Sequence, residues 1–159
     1  MMKNQFLTNI LLTFVWVALS GDFSFENYLF GFVLNFHILW LISFKKKKSK
    51  YFIIVPKLLI LLISFVYELI KANIEVAYEV ITPKFKMTPG IVMIPLDVKS
   101  NIGITLLANM ISLTPGTLSI DVSNDRKVLF VHAMYLKDKN KFIKGIKQGF
   151  ERRILEILV

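Results

Sequence analysis

The sequence predicts a membrane protein in three parts. An N-terminal transmembrane helical hairpin takes residues 1–50, and a long amphipathic helix over 51–83 either spans the bilayer or lies in its interface. A small α+β domain follows over 84–159, ordered strand, helix, hairpin, helix. Three observations carry this. The 159-residue chain is 55% hydrophobic with 14 Phe, and its mean hydropathy of +0.59 is too high for an ordinary water-soluble domain. Two apolar segments precede a lysine run at Lys45. Beyond Ile104 the apolar spacing switches from helical to strand period within one short stretch.

The two apolar segments are Phe6–Leu19 and Tyr28–Phe44. Each is near the lower limit of the roughly 17–25 helical residues that cross a hydrocarbon core. The link Gly21–Asn27 is short, which forces an antiparallel hairpin, and its only charges are Asp22 and Glu26. A second apolar segment follows the first at once, so a cleaved secretory signal is not expected. Trp16 and Trp40 suit a membrane interface. His37 has no acid on its own segment, which favours a neutral imidazole hydrogen-bonded to a neighbouring helix, or one sitting near a bilayer face, over a functional role. Lys45–Lys50, KKKKSK, places its loop in the cytoplasm.

Tyr51–Thr82 has a long helical pattern, with Pro56 early in it and Pro83 expected to end it. Lys57, Ser64, Glu68, Lys71, Glu75 and Glu79 recur at helical spacing and line one stripe. Glu68 and Lys71 are the candidate polar seam against another protein's helix, whereas Glu75 and Glu79 are expected to face water. The apolar run Leu58–Tyr67 argues for a third span. The segment after Pro83 has twice as many Lys and Arg as Asp and Glu, which argues for a domain that stays in the cytoplasm. An interfacial helix reconciles the two, and a cytoplasmic C-terminal domain is expected.

In that domain Gly90–Leu96 reads as a strand, and Ser100 as the N-cap of a helix ending near Leu113. Ile104, Leu107, Met110 and Ile111 give that helix an apolar face. Thr114-Pro115-Gly116-Thr117 then reads as a type II turn, with glycine at the position that needs a positive φ. The next strand, Thr117–Ser123, puts Leu118, Ile120 and Val122 on one side and Ser119, Asp121 and Ser123 on the other. A hairpin through Asn124–Lys127 leads to Val128–Tyr135. The last helix, Lys139–Leu158, aligns Phe142, Ile146, Phe150, Ile154 and Leu158, with Lys141, Lys144, Lys147 and Arg152 on its surface.

Several function classes are excluded. The chain has no cysteine, so disulfides and thiolate metal sites are out, and His37 and His132 stand too far apart for ligand spacing. The net charge of +9 gathers beside apolar segments with no nucleic-acid motif, so the lipid bilayer, not nucleic acid, is the expected partner. The seven glycines are dispersed, and no histidine lies near Thr114 or Ser119 to activate either as a nucleophile. No enzyme activity, metal or cofactor is expected.

The run LLANMISLTPGTLSIDV, with Leu107, Ala108, Asn109, Thr114, Pro115, Gly116 and Thr117 as its core, resembles the signature of the MrpE/MnhE family, the E-type subunits of the Mrp/Mnh-type multisubunit Na+/H+ antiporters. Pro89–Val92, Ile94–Leu96, Glu68–Asn73, Leu129–Ala133 and Phe150–Arg153 fall in that family's order, so the resemblance covers essentially the whole chain. Ser112 departs from it, where threonine is more usual. The resemblance implies an accessory, multi-pass subunit in the bacterial inner membrane, supporting sodium export and cytoplasmic pH homeostasis. It implies partners as well, namely large antiporter subunits related to respiratory complex I and small membrane subunits. The equivalent subunit of a membrane-bound hydrogenase-type complex is an alternative, and a membrane-anchored binding or sensor module is another.

Overall fold

The structure is a computed structural model and describes residues 2–43, 50–82 and 87–158. The Lys45–Ser49 part of the lysine run and Pro83, on which orientation and a helix end were expected to rest, lie outside the described residues. The chain divides into two compact units, Met1–Pro56 and Lys57–Val159, and one long helix runs through the division.

The first unit holds helices α1 (Met2–Ser20) and α2 (Phe25–Ser43) and the start of α3 (Lys50–Ile81). Gly21, at φ 69°, closes α1 by donating its N–H to the Val17 carbonyl, and the Asp22 carboxylate then accepts from the Ser24 N–H. Where α1 and α2 touch, Gly31 lets the Trp16 ring lie against the α2 backbone, since a Cβ there would stand 2.7 Å from the ring. The Trp16 indole donates to Asn27 Oδ1 at 3.0 Å. The buried side chains of this unit are mixed. Val17 and Tyr51 are covered, but so are Asn9, Thr13 and Asn35, while Phe14, Leu19, Leu29 and Leu41 are mostly exposed. Asn9 Nδ2 donates to the Tyr51 hydroxyl at 2.9 Å. His37 is exposed, and its Nδ1 lies 2.8 Å from the Val33 carbonyl, so its partner is its own helix and not a neighbour. By length and composition α2 and α3 could each cross a membrane, and the apolar stretch of α1, Asn4–Ser20, is shorter.

The second unit is a two-layer sandwich with α3 along it. Strands β1 (Gly90–Pro95), β2 (Thr117–Val122) and β3 (Val128–Ala133) form an antiparallel sheet in the order β1-β3-β2. Helix α4 (Asn101–Leu113) covers one face together with a C-terminal helix made of α5 (Lys139–Ile146), a π-helical stretch (Lys147–Glu151) and α6 (Arg152–Leu158). Ser100 caps α4 by accepting from the Gly103 N–H, and Asp138 caps α5 by accepting from Asn140 and Lys141. The core sits between the layers, where Val92, Ile94, Leu129 and Val131 meet Ile104, Leu107, Ile111 and Ile154.

Two sequence expectations are corrected here. Leu118, Ile120 and Val122 do not share one side; Leu118 and Ile120 are 53% and 51% exposed on the open face of the sheet, which also carries Ile91 and Met93, whereas Val122 packs on the core. The strand turns its polar side inward because Ser119 is needed there, its N–H donating to Ser112 Oγ and its hydroxyl to the Ala108 carbonyl. A bulge between Ser119 and Asp121 then shifts the register, so Val122 returns to the core. Threonine would supply the same hydroxyl as Ser112. The second correction is Lys147, which is not a surface lysine but is drawn into an ion cluster.

The π-helical stretch explains the spacing of the last helix. Residues four apart drift by about 40° per step in a helix of 3.6 residues per turn. A wider π turn removes part of that drift. Phe150 and Ile154 therefore both reach the core, although Leu158 at the end of the row is 44% exposed.

Candidate functional site

Leu113 ends α4 and Thr114 caps it, with the Thr114 N–H bonded to the Ile111 carbonyl and the Thr114 hydroxyl to that of Met110. The Thr117 N–H returns to the Thr114 carbonyl at 3.2 Å across Pro115 and Gly116, and Gly116 has a φ of 86°, as a type II turn requires. The Thr117 hydroxyl ties the turn down further, donating to the Ile111 and Thr114 carbonyls. The other motif residues separate by role. Leu107 is fully buried, Ala108 supplies the carbonyl that holds Ser119, and Asn109 is exposed.

This turn forms one wall of a cleft of about 330 Å³. The opposite wall is α3, through Glu68, Lys71, Ala72 and Glu75, and α5 to α6 supplies the floor. The turn Thr114–Thr117 and the pair Glu68 and Lys71, some forty positions apart in sequence, thus line one space, whereas Leu107, Ala108 and Asn109 lie outside its lining. Glu68 and Lys71 are paired at 3.6 Å, with 43% and 53% of their side chains exposed. An exposed pair of this kind contributes roughly 0.2–1 kcal/mol. The stripe on α3 faces this chain's own domain: Leu61 belongs to the core, Phe65 packs on Phe150, and Lys57 Nζ donates to the Glu156 carbonyl. Glu79, expected in water, is buried at 6% exposure. Tyr135 projects from beyond β3 into the cleft, and its hydroxyl is buried without a hydrogen-bond partner among the described residues. Burial first, then the charges of Glu79 and Glu75, push its phenol above the usual range.

A second polar cluster lies on the domain's other flank. Glu151, 1% exposed, accepts from the Asp97 and Val98 N–H groups at 2.7 and 3.1 Å and pairs with Lys147 at 3.0 Å. Lys147 also reaches Asp97 at 2.8 Å and the Pro95 carbonyl. Burial opposes the charged form of Lys147, but the hydrogen bonds and charges of Asp97 and Glu151 outweigh it and hold the ammonium above its usual pKa. The cluster pins the loop between β1 and α4 to the C-terminal helix. Sequence reasoning missed it, although the i, i+4 spacing of Lys147 and Glu151 was a signal. Tyr135 was missed as well, and nothing local marks it. Among the described residues no three side chains gather as a metal site.

A family model described as Na+/H+ ion antiporter subunit matches residues 9–157. The E1 subunit of the Na(+)/H(+) antiporter of Staphylococcus haemolyticus is 38% identical over 98% of this chain and 98% of its own. The E-type Na(+)/H(+) antiporter subunit of Alkalihalophilus pseudofirmus is 37% identical over 98% of this chain and 99% of its own. Among solved structures, a chain of the membrane-bound sulfane sulfur reductase, an archaeal respiratory membrane complex, is 27% identical. That match has a TM-score of 0.54 and covers 94% of this chain and 96% of the other. The chain belongs to the family of Na+/H+ ion antiporter subunits.

Proposed function

We propose that the chain is an accessory integral-membrane subunit of a multisubunit Na+/H+ antiporter in the bacterial cell membrane. It supports assembly, sodium export and cytoplasmic pH homeostasis and performs no catalysis itself. The family match over residues 9–157 carries this reading. Large antiporter subunits and small membrane subunits are its partners, and the exposed Ile91, Met93, Leu118 and Ile120 suit contact with one of them. The turn at Thr114–Thr117 and the pair Glu68–Lys71 serve as the walls of the cleft.

The membrane arrangement divides at residues 1–50, 51–83 and 84–159. Helices α1 and α2 cross the bilayer as a hairpin, with the Lys45–Lys50 loop in the cytoplasm. Helix α3 lies in the interface. In support, the domain packs along it from Lys57 to Phe65, and a helix covered on one side by a charged, water-facing domain is not a span surrounded by lipid. The domain then stays on the cytoplasmic side.

Purification of the tagged chain in mild detergent tests the function. Copurifying large antiporter-like membrane proteins are expected; a lone chain with one soluble partner would favour a membrane-anchored sensor. The likeness to a respiratory complex favours a second reading, the equivalent subunit of such an assembly, and the identity of the copurifying subunits distinguishes the two.

A further inference from the structure

We propose that the cleft between α3 and the C-terminal helix holds the headgroup of an aminophospholipid, a phosphodiester carrying a primary ammonium. The cleft contains charges of both signs that have no ion-pair partner among the described residues. Lys141 and Arg153 line it with no carboxylate within ion-pair distance among the described residues, and Glu75 lines it with no cation within that distance. Charge-assisted hydrogen bonds to a phosphate satisfy the two cations, and an ammonium N–H satisfies Glu75. The buried Tyr135 hydroxyl, without a partner among the described residues, gains one from the same ligand. A purely anionic headgroup leaves Glu75 unmatched, and a quaternary ammonium has no N–H to give it.

The surroundings favour a lipid as the source. The outward face of α3 stays apolar past the cleft, with Tyr67, Ile70 and Ile74 each more than half exposed, which sets the helix in a bilayer surface and the cleft at headgroup depth. The floor is open: a Cβ added at Gly145 or Gly149 would meet nothing within 4 Å, and Phe142 and Phe150 give the acyl end an apolar wall. This proposal rests on the interfacial reading of α3.

The test is native mass spectrometry of the full-length chain after exchange into phosphatidylethanolamine, phosphatidylcholine or phosphatidylglycerol. Phosphatidylethanolamine is expected to be retained in preference to both others, and Glu75→Gln is expected to lower that preference about tenfold, the loss of one charged hydrogen bond. Gly149→Leu, whose Cβ meets nothing within 4 Å and whose side chain enters the floor, is expected to abolish retention without lowering the melting temperature. Equal retention of the three lipids, retention of phosphatidylglycerol at or above phosphatidylethanolamine, or no effect of Gly149→Leu would overturn the proposal. Binding of soluble glycerophosphoethanolamine as tight as that of the lipid would overturn the lipid assignment. A fluorophore on Ile74→Cys, quenched by brominated lipid, reads the helix separately. Quenching without headgroup preference overturns the cleft assignment alone, and absence of quenching overturns the interfacial helix with it.

Discussion

In the N-terminal unit Asn9, Thr13 and Asn35 are covered, while Phe14, Leu19 and Leu41 are mostly exposed. In the α+β domain Ile94, Leu107, Leu129 and Ile154 are covered, and lysines line the surface of the C-terminal helix. Under the proposed membrane arrangement the two units follow the same packing physics against different solvents. In water, burial of apolar area drives folding. In hydrocarbon that drive between helices is gone, and polar side chains turn inward as interhelical contacts because lipid offers them nothing. Among the described residues, the domain's buried charge, Glu151, has one oxygen held by two N–H donors and the other in an ion pair with Lys147 that makes no hydrogen bond, whereas Asn9 Oδ1 and Asn35 Nδ2 have no charge partner at all.

The largest expected effect tests the domain side of that contrast. Glu151→Ala orphans the Asp97 and Val98 N–H groups and leaves Lys147 with only Asp97 and the Pro95 carbonyl, a loss of roughly 2–6 kcal/mol at about 1–3 kcal/mol for each orphaned donor. Chemical unfolding of the full chain followed by circular dichroism measures it; a loss below about 1 kcal/mol, the worth of a surface pair, would show that the cluster is not sealed from water.

Gly116→Val comes next. Its Cβ would meet the Tyr135 ring and Met134 only at 3.6–3.7 Å, so crowding is not the penalty. A β-branched residue held at positive φ costs about 1–3 kcal/mol. Gly116→Ala should retain most of that loss, and a harmless valine would mean that the turn relaxes to another type.

The pH dependence of the same cluster sharpens the comparison. The folded pKa of Lys147 is raised above its ordinary 10.5, so its contribution is fully present below that pH and is lost as pH climbs through the raised value. Stability attributable to Lys147, taken as wild type minus Lys147→Met, should be flat from neutral pH to about 10 and fall only above it. A decline that begins near pH 8 would contradict the pairing.

Smallest is Asn9→Leu in the helical unit. Interhelical polar contacts in membranes average about 0.6 kcal/mol. Assembly and melting should change little, and a loss as large as that of Glu151→Ala would show that the first unit folds like a water-soluble core.

Element positions were largely legible in the sequence, because periodicity and local signals fix them: Ser100 as a cap, the change of period after Leu113, and the Pro115-Gly116 turn all act on near neighbours. The direction in which β2 faces was not legible. Leu118 and Ile120 are apolar, yet the bonds of Ser119 to α4 decide which side turns in, and the bulge hides the switch. The cleft was half legible. Its turn and its stripe each stood out, but their meeting depends on α3 folding back along the domain, which no local pattern encodes. Glu79 and Lys147 looked like solvated charges because burial by a distant element leaves no mark on helical spacing.

The central claim is that the hairpin is in lipid while the α+β domain faces cytoplasmic water, with α3 at the membrane surface. The chain has no cysteine, so a single Asn124→Cys, exposed beyond β2, reports the side of the domain cleanly. In intact cells a membrane-impermeant maleimide should leave that thiol unlabelled, and permeabilisation should make it react fully. Labelling from outside intact cells would mean that α3 is a true third span and would contradict the account.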